Sequence, residues 1–544
     1  MTFVITQACC NDASCVAVCP VQCIRPRPGD SDFATTEQLY IDPATCIDCG
    51  ACAYECPVDA IFPEEDLPPP LADFRDINAD YFALHPLEDV RPLPVKRHRL
   101  PDATTEFRVA VIGAGPSAMY AVAELSEMVG VSVTVLERTP TPLGLLRAGV
   151  APDHEGTKLI GERFSRVLQR PNVECLFNVE VGRDVSVAEL LIHHHAVICA
   201  VGAADDRKLG IPGEDLEGSV SAREFVAWYN GHPDYSDRHF DLSGKRAVVI
   251  GNGNVALDVA RVLARPASAY EKTTMSDVAL EALRGSAIEE VMVVGRRGQV
   301  FGAYSTAELL ALERLPGVDL LAYPAEVSVT DEELVTAGLE ESSFNFARRR
   351  GVIDAAARRT PVSPRRIIMR YRLKPTALIG EDAVRGVVLT EADGTSEAVE
   401  TSLVIRAVGF RARSMPGIPF DSSAGIIPND AGRIVDPDTG RPLPGLYCAG
   451  WVKRGPSGVI GTNRTDSAET VASLLEDLAD GRVPQPVGSS TDFADLIRSR
   501  QPYLVDRAGW RRIEEAELGA GAATGRTRVK LLNSADLLKA ARGA

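Results

Sequence analysis

Two apolar runs, each followed at once by a glycine-rich turn, stand out in the pattern of hydrophobic and polar positions along the chain. The first is FRVAVI (107–112), which runs into GAGPSA, and the second is KRAVVI (245–250), which runs into GNGNVA. Both turns are followed by stretches rich in small and apolar residues that are typical of a helix. An apolar strand that ends in such a turn and opens a helix is the context that a dinucleotide fingerprint requires. The pattern therefore predicts two dinucleotide-binding units.

The ends of the second strands distinguish the two units. Strand SVTVLE ends in Glu137, twenty-four residues after Gly113, where a carboxylate can bond the hydroxyls of a ribose. The corresponding run VMVVG (291–295) ends in Arg296 and Arg297, whose planar guanidinium groups fit a 2′-phosphate. Solvated surface arginines are the alternative interpretation of that pair. One unit with an acid and one with two arginines predict a flavoprotein that binds FAD together with NADPH.

Length, charge and hydropathy narrow the classes of function. A chain of 544 residues with 45% hydrophobic content is expected to form about two to four domains. A formal net charge of −17 argues against a nucleic-acid-binding face. The opening MTFVITQACC lacks the basic flank and apolar core of a signal peptide, and no window approaches about eighteen uninterrupted apolar residues. We therefore expect a cytoplasmic protein without a membrane span.

Nine of the twelve cysteines lie in the first 56 residues, and this clustering favours metal binding over disulfides. The stretch CIDCGACAYECP (46–57) has the Cys-x2-Cys-x2-Cys-x3-Cys-Pro spacing of an iron-sulfur motif, in which the fourth thiolate is directed to a second cluster. Zinc is the alternative metal, but a structural zinc site usually takes two separated pairs of cysteines. The predicted iron ligands in this motif are Cys46, Cys49, Cys52 and Cys56.

A second motif with the same spacing precedes it and carries a carboxylate in one position. Starting at Cys9, the motif is Cys9-x2-Asp12-x2-Cys15-x3-Cys19-Pro. With Asp12 in place of a thiolate, the second cluster is expected to be a three-iron cluster or a four-iron cluster with one weakly held iron. Cys10 is an alternative ligand to Cys9 after a small shift of the loop.

Two regions of opposite charge complement each other. Residues 1–66, the acidic head, carry eleven acidic and two basic residues, whereas residues 347–374, the basic segment, carry ten basic residues and one acid. We hypothesise that the basic segment steers or holds the head, or an external acidic ferredoxin. A solvated basic strand and loop is the alternative interpretation.

Four stretches resemble the adrenodoxin reductase family, the NADPH:ferredoxin reductases of mitochondrial and actinobacterial type: LERTPTPLGLLRAGVAPDH (136–154), VIGNGNVALDVARVL (249–263), VVGRRG (293–298) and GWVKRGPSGVIGTNRTD (450–466). The head resembles the bacterial two-cluster ferredoxins. Together the resemblances imply an α/β protein with two Rossmann-like dinucleotide-binding domains, as in glutathione-reductase-like flavoproteins, and a small N-terminal α+β ferredoxin domain.

The resemblances also imply which residues contact each cofactor. The FAD contacts carry over to Gly113, Ala114, Gly115, Pro116, Ser117, Glu137, Leu145, Val181, Trp451, Gly458, Val459 and Ile460. The NADP contacts carry over to Gly251, Asn252, Gly253, Asn254, Val255, Arg296, Arg297, Glu308 and Gly458. One cluster is implied to be held by Cys19, Cys46, Cys49 and Cys52, and the other by Cys9, Cys15 and Cys56. His154 and Glu308 are candidates to position the nicotinamide or relay protons, with ordinary structural roles as the alternative.

The implied arrangement divides the chain into five segments. These are a ferredoxin-like domain (1–66), a proline-rich linker or extension (67–105), the first part of the FAD-binding domain (106–206), the NADP-binding domain (207–415), and the second part of the FAD-binding domain with a C-terminal tail (416–544).

The function implied is that of an FAD-dependent ferredoxin–NADP+ reductase. It would pass electrons from NADPH through FAD and its own clusters to an external acceptor such as a ferredoxin or a cytochrome P450. One alternative is a redox or iron sensor that uses the labile cluster near Asp12, and another is an electron-input subunit of a larger complex. A disulfide reductase would share the domain plan, but Cys175, Cys199 and Cys448 are isolated from one another, which disfavours a redox-active pair.

Overall fold

Each glycine-rich turn lies at the end of a strand in its own parallel sheet. The computed structural model describes residues 2–87, 100, 106–340 and 343–543. Within them the first sheet has seven strands, in the spatial order Asn429–Asp430, Arg433–Val435, Pro442–Cys448, Ala196–Cys199, Phe107–Ile112, Val131–Glu137 and Val173–Phe177. The last five of these strands run parallel to one another. Because the strand at 442–448 pairs with the one at 196–199, two distant stretches of chain complete this sheet.

The second sheet is formed by the chain between those two stretches. Its six strands are all parallel and follow the order Ser219–Ser221, Leu403–Arg406, Arg246–Ile250, Glu290–Val294, Arg365–Arg370 and Val318–Ala322. A three-stranded antiparallel sheet, Lys374–Gly380, Val384–Thr390 and Ser396–Glu400, packs beside it. The chain enters and leaves this region through the antiparallel pair Asp205–Asp206 and Phe410–Arg411.

Helices cover both faces of the first parallel sheet, whereas the second parallel sheet has helices on one face and the three-stranded sheet on the other. The central strands of both parallel sheets are almost entirely buried. The α-helices of the described residues are Ser14–Val18, Ala51–Glu55, Phe74–Leu84, Pro116–Leu125, Leu145–Ala148, Glu155–Lys158, Ile160–Leu168, Val187–His193, Ala222–Tyr229, Asn254–Ala264, Asp277–Arg284, Thr306–Glu313, Asp331–Ala337, Phe344–Arg358, Trp451–Arg454, Thr462–Ala479, Ser490–Arg500, Arg507–Thr524 and Ser534–Arg542. Among the described residues, none of these helices combines the length and the apolar character needed to cross a bilayer.

The head is a small α+β unit. Strand Phe3–Ile5 pairs with Ile61–Pro63, and strand Ile24–Arg25 pairs with Tyr40–Ile41, both antiparallel. Two short helices carry the central cysteines of the two motifs. With the two parallel sheets, this unit confirms the predicted fold class.

The helix Phe74–Leu84 lies between the head and the helices of the second sheet's domain, where Asp80 pairs with Arg348. The Asn78 side chain accepts hydrogen bonds from the backbone N–H groups of Ile5 and Ile41, and it donates to the carbonyl of Ile5 at 2.8 Å. On the same helix, Tyr81 stacks on Tyr40 of the head with ring centroids 4.1 Å apart. The predicted linker at 67–105 therefore contains a helix that is packed on the head, while its residues 88–99 and 101–105 lie outside the described residues.

The C-terminal tail is tied to the first sheet's domain by a buried carboxylate. Glu517, which is fully buried, accepts hydrogen bonds from Arg147 and from Arg528, the latter at 2.8 Å. The backbone N–H of Leu531 donates to the same carboxylate at 2.9 Å. Burial acts to raise the pKa of Glu517, but the two guanidinium groups outweigh it and lower the pKa to about 2.

Replacing Glu517 by glutamine should lower the free energy of unfolding at neutral pH by about 3 kcal/mol, because the pKa of this carboxyl is lower in the folded than in the unfolded chain. The stabilisation is fully present above pH ~4.5 and is lost as the pH falls towards the folded pKa of about 2. Urea unfolding of the parent protein and of Glu517→Gln between pH 3 and 7 measures the difference in the free energy of unfolding. The stability difference should shrink as the pH falls, and the exposed control Glu515→Gln should show no comparable loss.

Candidate functional site

Two helix N-termini meet at the first glycine-rich turn. Gly113 has φ +100°, and a Cβ there would lie 2.6 Å from the Ala200 carbonyl oxygen, so only glycine fits. The helices Pro116–Leu125 and Thr462–Ala479 lie side by side, and in their first turns the Ser117 hydroxyl donates to the Asn463 side-chain oxygen at 2.7 Å. Their free N–H groups and dipoles form a place suited to an anion such as a pyrophosphate.

Glu137 holds the turn from the neighbouring strand. Its carboxylate accepts hydrogen bonds from the N–H of Ala114 at 3.0 Å and from the N–H of Thr139 at 2.9 Å. The loop that contains Leu145 lies close by, since the N–H of Leu143 donates to the Ala114 carbonyl at 2.8 Å. The structure thus brings Glu137, the turn and the loop of Leu145 together.

The other predicted FAD contacts lie around the same end of the sheet. Trp451 stacks on Phe410 with centroids 5.8 Å apart, and its indole N–H donates to the carbonyl of Ser457. Residues 458–460 immediately precede the helix Thr462–Ala479, so their backbone lies at its N-terminus. Val181 is buried in the core beside this region, together with Ile112.

The second glycine-rich turn is built like the first. Gly251 has φ +119°, and a Cβ would lie 2.2 Å from the carbonyl oxygen of Ala407. The following predicted contacts lie on this turn and the helix that it opens, namely Asn252, Gly253, Asn254 and Val255. Since the strands Arg246–Ile250 and Glu290–Val294 are parallel neighbours, Arg296 and Arg297 emerge at the same edge as this turn. Both arginines are exposed, and Arg297 lies over the ring of Phe301 at 4.5 Å.

His154 and Glu308 meet around a buried arginine that sequence reasoning missed. The Arg261 guanidinium, 3% exposed, donates to Asp153 at 3.0 Å, to Asp258 at 2.6 Å and to Glu308 at 3.1 Å. One of its nitrogens lies 2.7 Å from His154 Nε2. A signal was present in the sequence, since Asp258 and Arg261 are i,i+3 neighbours in the apolar helix that the second turn opens.

Three carboxylates of this group, those of Asp153, Asp258 and Glu308, pair with Arg261, and Arg265 supplies a second positive charge at Asp153. Burial raises the pKa of Glu308, against the opposing effect of His154 and Arg261. His154, Asp258 and Glu308 have a spacing that could hold a metal ion. The Arg261 guanidinium already supplies the positive charge among them, so a metal ion is not needed there.

The head contains two pockets lined by cysteines. The outer pocket is lined by Cys19, Cys46, Cys49 and Cys52, one of the predicted ligand sets, with Cys23 beside them. Cys49 is exposed, and the loop before helix Ala51–Glu55 turns through left-handed residues Asp48 and Gly50. The sulfurs of Cys19 and Cys23 are 3.6 Å apart. Four thiols around an apolar pocket fit a four-iron cluster.

The inner pocket is lined by Cys9, Cys10, Cys15 and Cys56, and Asp12 also lines it. Cys10 is packed in the hydrophobic core of the first sheet's domain, whereas Cys15 is packed in the hydrophobic core of the head. Burial raises the pKa of Cys9 to about 11, so a metal must displace its proton on binding. Three thiols fit an iron-sulfur cluster with one open position.

Asp12 lines the inner pocket, and its carboxylate also accepts hydrogen bonds from the reductase. One oxygen accepts a hydrogen bond from the Tyr120 hydroxyl at 2.8 Å, and the other accepts from Arg163 at 3.3 Å and Arg464 at 3.4 Å, as well as from Ser14. Burial acts to raise the pKa of Asp12, but Arg464 and Arg163 outweigh it and hold the pKa below its usual value. Donors from the reductase thus contact both oxygens, and the role of Asp12 as an iron ligand stays a prediction.

The basic segment meets the head and its extension through its first arginines. Arg349 forms an ion pair with Glu37 of the head at 3.5 Å, and Arg348 pairs with Asp80 of the adjoining helix. Further along, Arg359 pairs with Glu313 and Arg366 with Glu290, both within the second sheet's domain. Among the described residues, Arg348 and Arg349 thus support the hypothesis that the basic segment holds the head, whereas Arg359 and Arg366 pair within their own domain.

Two of the isolated cysteines are neighbours in space. Cys199 and Cys448 are register partners on adjacent strands of the first sheet, so the expectation that they are isolated was wrong. Both are fully buried, and burial raises the pKa of each thiol, that of Cys199 to about 12. Neutral thiols shielded from solvent are inert, so the pair does not make the chain a disulfide reductase.

Comparisons with known proteins agree with this geometry. Residues 107–320 match the model of the family described as "Pyridine nucleotide-disulphide oxidoreductase", and residues 8–60 match that of the "4Fe-4S dicluster domain". A "Probable ferredoxin/ferredoxin--NADP reductase" of Mycobacterium tuberculosis is 45% identical over 555 residues, covering 100% of this chain and 96% of that protein. A mitochondrial "NADPH:adrenodoxin oxidoreductase" of Arabidopsis thaliana is 36% identical over 475 residues, covering 82% of this chain and 98% of that protein.

Among solved structures, "Mycobacterium tuberculosis FprA in complex with NADPH" superposes with a TM-score of 0.75. It is 40% identical and covers 80% of this chain and 100% of that one.

Proposed function

The chain belongs to the ferredoxin/ferredoxin–NADP reductase family, and we propose that it moves electrons from NADPH through FAD to iron-sulfur clusters in its own head and from there to an external acceptor. One contact carries this proposal. The backbone N–H of Gly461, next to the proposed flavin-binding residues 458–460, donates to the carbonyl of Cys10 in the head at 2.7 Å. The head is therefore seated directly against the proposed flavin site.

FAD supplies the conversion of a two-electron hydride donor into single electrons, and the chain's residues bind and orient the cofactors. We assign the FAD pyrophosphate to the turn Gly113–Ser117, the ribose to Glu137, and the flavin ring to Trp451 and residues 458–460. Electrostatic support for a negatively charged ring comes from the N-terminus of the helix Thr462–Ala479.

For NADP(H), we assign the pyrophosphate to residues 251–255 and the 2′-phosphate to Arg296 and Arg297. Their exposure and their place at the strand edge beside the turn support this assignment. Glu308 and His154, held by Arg261, are proposed to orient the nicotinamide next to Gly458 or to relay protons.

For the head, we propose a four-iron cluster at Cys19, Cys46, Cys49 and Cys52, and a second cluster with three thiolate ligands at Cys9, Cys15 and Cys56. We prefer Cys9 to Cys10 because Cys9 also packs against the core of the head, whereas Cys10 is buried in the core of the first sheet's domain. The segment limits 1–66, 67–105, 106–206, 207–415 and 416–544 remain our proposed division, and a ferredoxin or a cytochrome P450 remains the proposed external acceptor.

Anaerobic titration of the reconstituted protein with NADPH tests the proposed route. The flavin absorbance should bleach, and reduced-cluster signals should then appear in electron paramagnetic resonance. NADH at the same concentrations is the control and should reduce the protein much less. If the flavin bleaches and the clusters stay oxidised at every NADPH level, the head is not the immediate acceptor and the proposal fails.

A further inference from the structure

Asp12 occupies a thiolate position in the first cysteine motif and lines the inner pocket, yet three of the side chains that donate to its carboxylate lie on the reductase. Its side chain is 2% exposed. The three outside donors come from three different helices, with Tyr120 on Pro116–Leu125, Arg163 on Ile160–Leu168 and Arg464 on Thr462–Ala479. Arg464 also donates to the backbone carbonyl of Asp12 at 2.5 Å. A buried carboxylate with this many charged and neutral donors is fixed in place.

The backbone on both sides of Asp12 is equally close to the reductase. A Cβ added to Gly461 would lie 2.1 Å from the carbonyl carbon of Asn11, so the two backbones are in direct contact. A second contact between the two backbones lies at Gly156 of the reductase. A Cβ added there would lie 3.1 Å from the carbonyl oxygen of Val58, which follows the second cysteine motif of the head. The loop that carries Cys9 and Cys15 is therefore pressed against the proposed flavin domain.

We infer that Asp12 is a positioning residue, which clamps the inner cysteine pocket onto the reductase through Tyr120, Arg163 and Arg464 instead of binding iron. The inference rests on the proposed function. If Asp12 acts in this way, the two pockets face different directions. The inner pocket, with Cys9, Cys15 and Cys56, faces the proposed flavin site. The pocket at Cys49 faces outward, where Ile47 and Tyr54 are 57% and 94% exposed.

Two substitutions separate a clamp from an iron ligand. Asp12→Asn removes the charge from the proposed clamp, and Arg464→Gln weakens the same clamp from the reductase side while every residue of the cysteine loop is kept. Arg464 is 39% exposed, so this variant is expected to fold even if the buried one does not. The matched control is Glu55→Gln, which removes one exposed negative charge from the head.

Three quantities are measured on the holoenzyme and each variant. These are the iron and sulfide content with the cluster spectrum, hydrogen exchange of the amides at 9–15, and the separate rates of flavin reduction by NADPH and of electron transfer to the head. A clamp predicts unchanged iron content and spectrum in both variants. It also predicts exchange at 9–15 that is roughly tenfold faster or more, because breaking a buried ion pair is costly. Transfer to the head should slow while flavin reduction keeps its rate, and Glu55→Gln should change none of these quantities.

Two results would overturn the inference. In the first, Asp12→Asn loses iron or changes the cluster spectrum while Arg464→Gln does neither, which would make Asp12 a ligand. In the second, both variants leave exchange at 9–15 unchanged, which would mean that the contacts hold nothing in place. Failure of the proposed function itself is distinguishable, because the unaltered protein would then fail to reduce its head with NADPH.

Discussion

Replacing Cys49 by serine should eliminate electron delivery to an external acceptor while leaving flavin reduction by NADPH intact. Cys49 is one of four thiols that line the outer pocket, and the affinity for the cluster there should fall by more than about 100-fold, the upper end for changes around the ligands. Because Cys49 is exposed, the substitution should disturb packing little. Iron and sulfide content, together with the rate of cytochrome c reduction by NADPH, measure the effect.

The control for this variant is Asp48→Asn, which alters the neighbouring exposed residue but leaves all four thiols. It should keep its iron content and the acceptor rate of the parent. A serine variant that keeps the full rate of acceptor reduction would show that electrons leave the chain without the outer pocket.

Replacing Arg296 or Arg297 by alanine should raise the KM for NADPH by roughly 10- to 100-fold and leave that for NADH nearly unchanged. A hydrogen bond to a charged group contributes about 1.5–3 kcal/mol, and only NADPH carries the phosphate that these guanidinium groups are proposed to bind. Steady-state kinetics with both nucleotides and a dye acceptor measure the ratio of the two kcat/KM values.

The matched control is Arg284→Ala, an exposed arginine of the same domain that pairs with Glu271 and Glu281. It should leave the preference for NADPH unchanged. An equal loss with NADPH and NADH in the Arg296 variant would favour the alternative that the two arginines are ordinary surface residues.

The features that the sequence predicted well are formed by residues that lie close together in the chain. The two glycine-rich turns, Glu137 and the cysteine spacings each lie within a few dozen residues, and a strand, a turn and the helix after it fold as a unit. The structure accordingly places Gly113 and Gly251 where no Cβ would fit.

What the sequence did not predict depends on contacts between distant residues. Arg261 joins Asp153 to Glu308, and neither residue is near it in the chain. Charge counting identified the basic segment, but it could not show that Arg366 pairs with Glu290 of its own domain while Arg349 reaches Glu37 of the head. The net charge of a segment determines the electrostatic field around it, but it does not show which residues its side chains pair with.

The clamp between Asp12 and Arg464 also has a consequence for the order of synthesis. These residues are separated by 452 positions, so the head leaves the ribosome long before the helix that receives it exists. At about 5–20 residues per second, that interval is roughly 20 to 90 s. During this time the inner cysteines are uncovered and accessible to the machinery that delivers iron and sulfide. When the C-terminal half has been synthesised, the reductase folds against the head. We therefore expect the clusters to be inserted into the head before the reductase covers the inner cysteines.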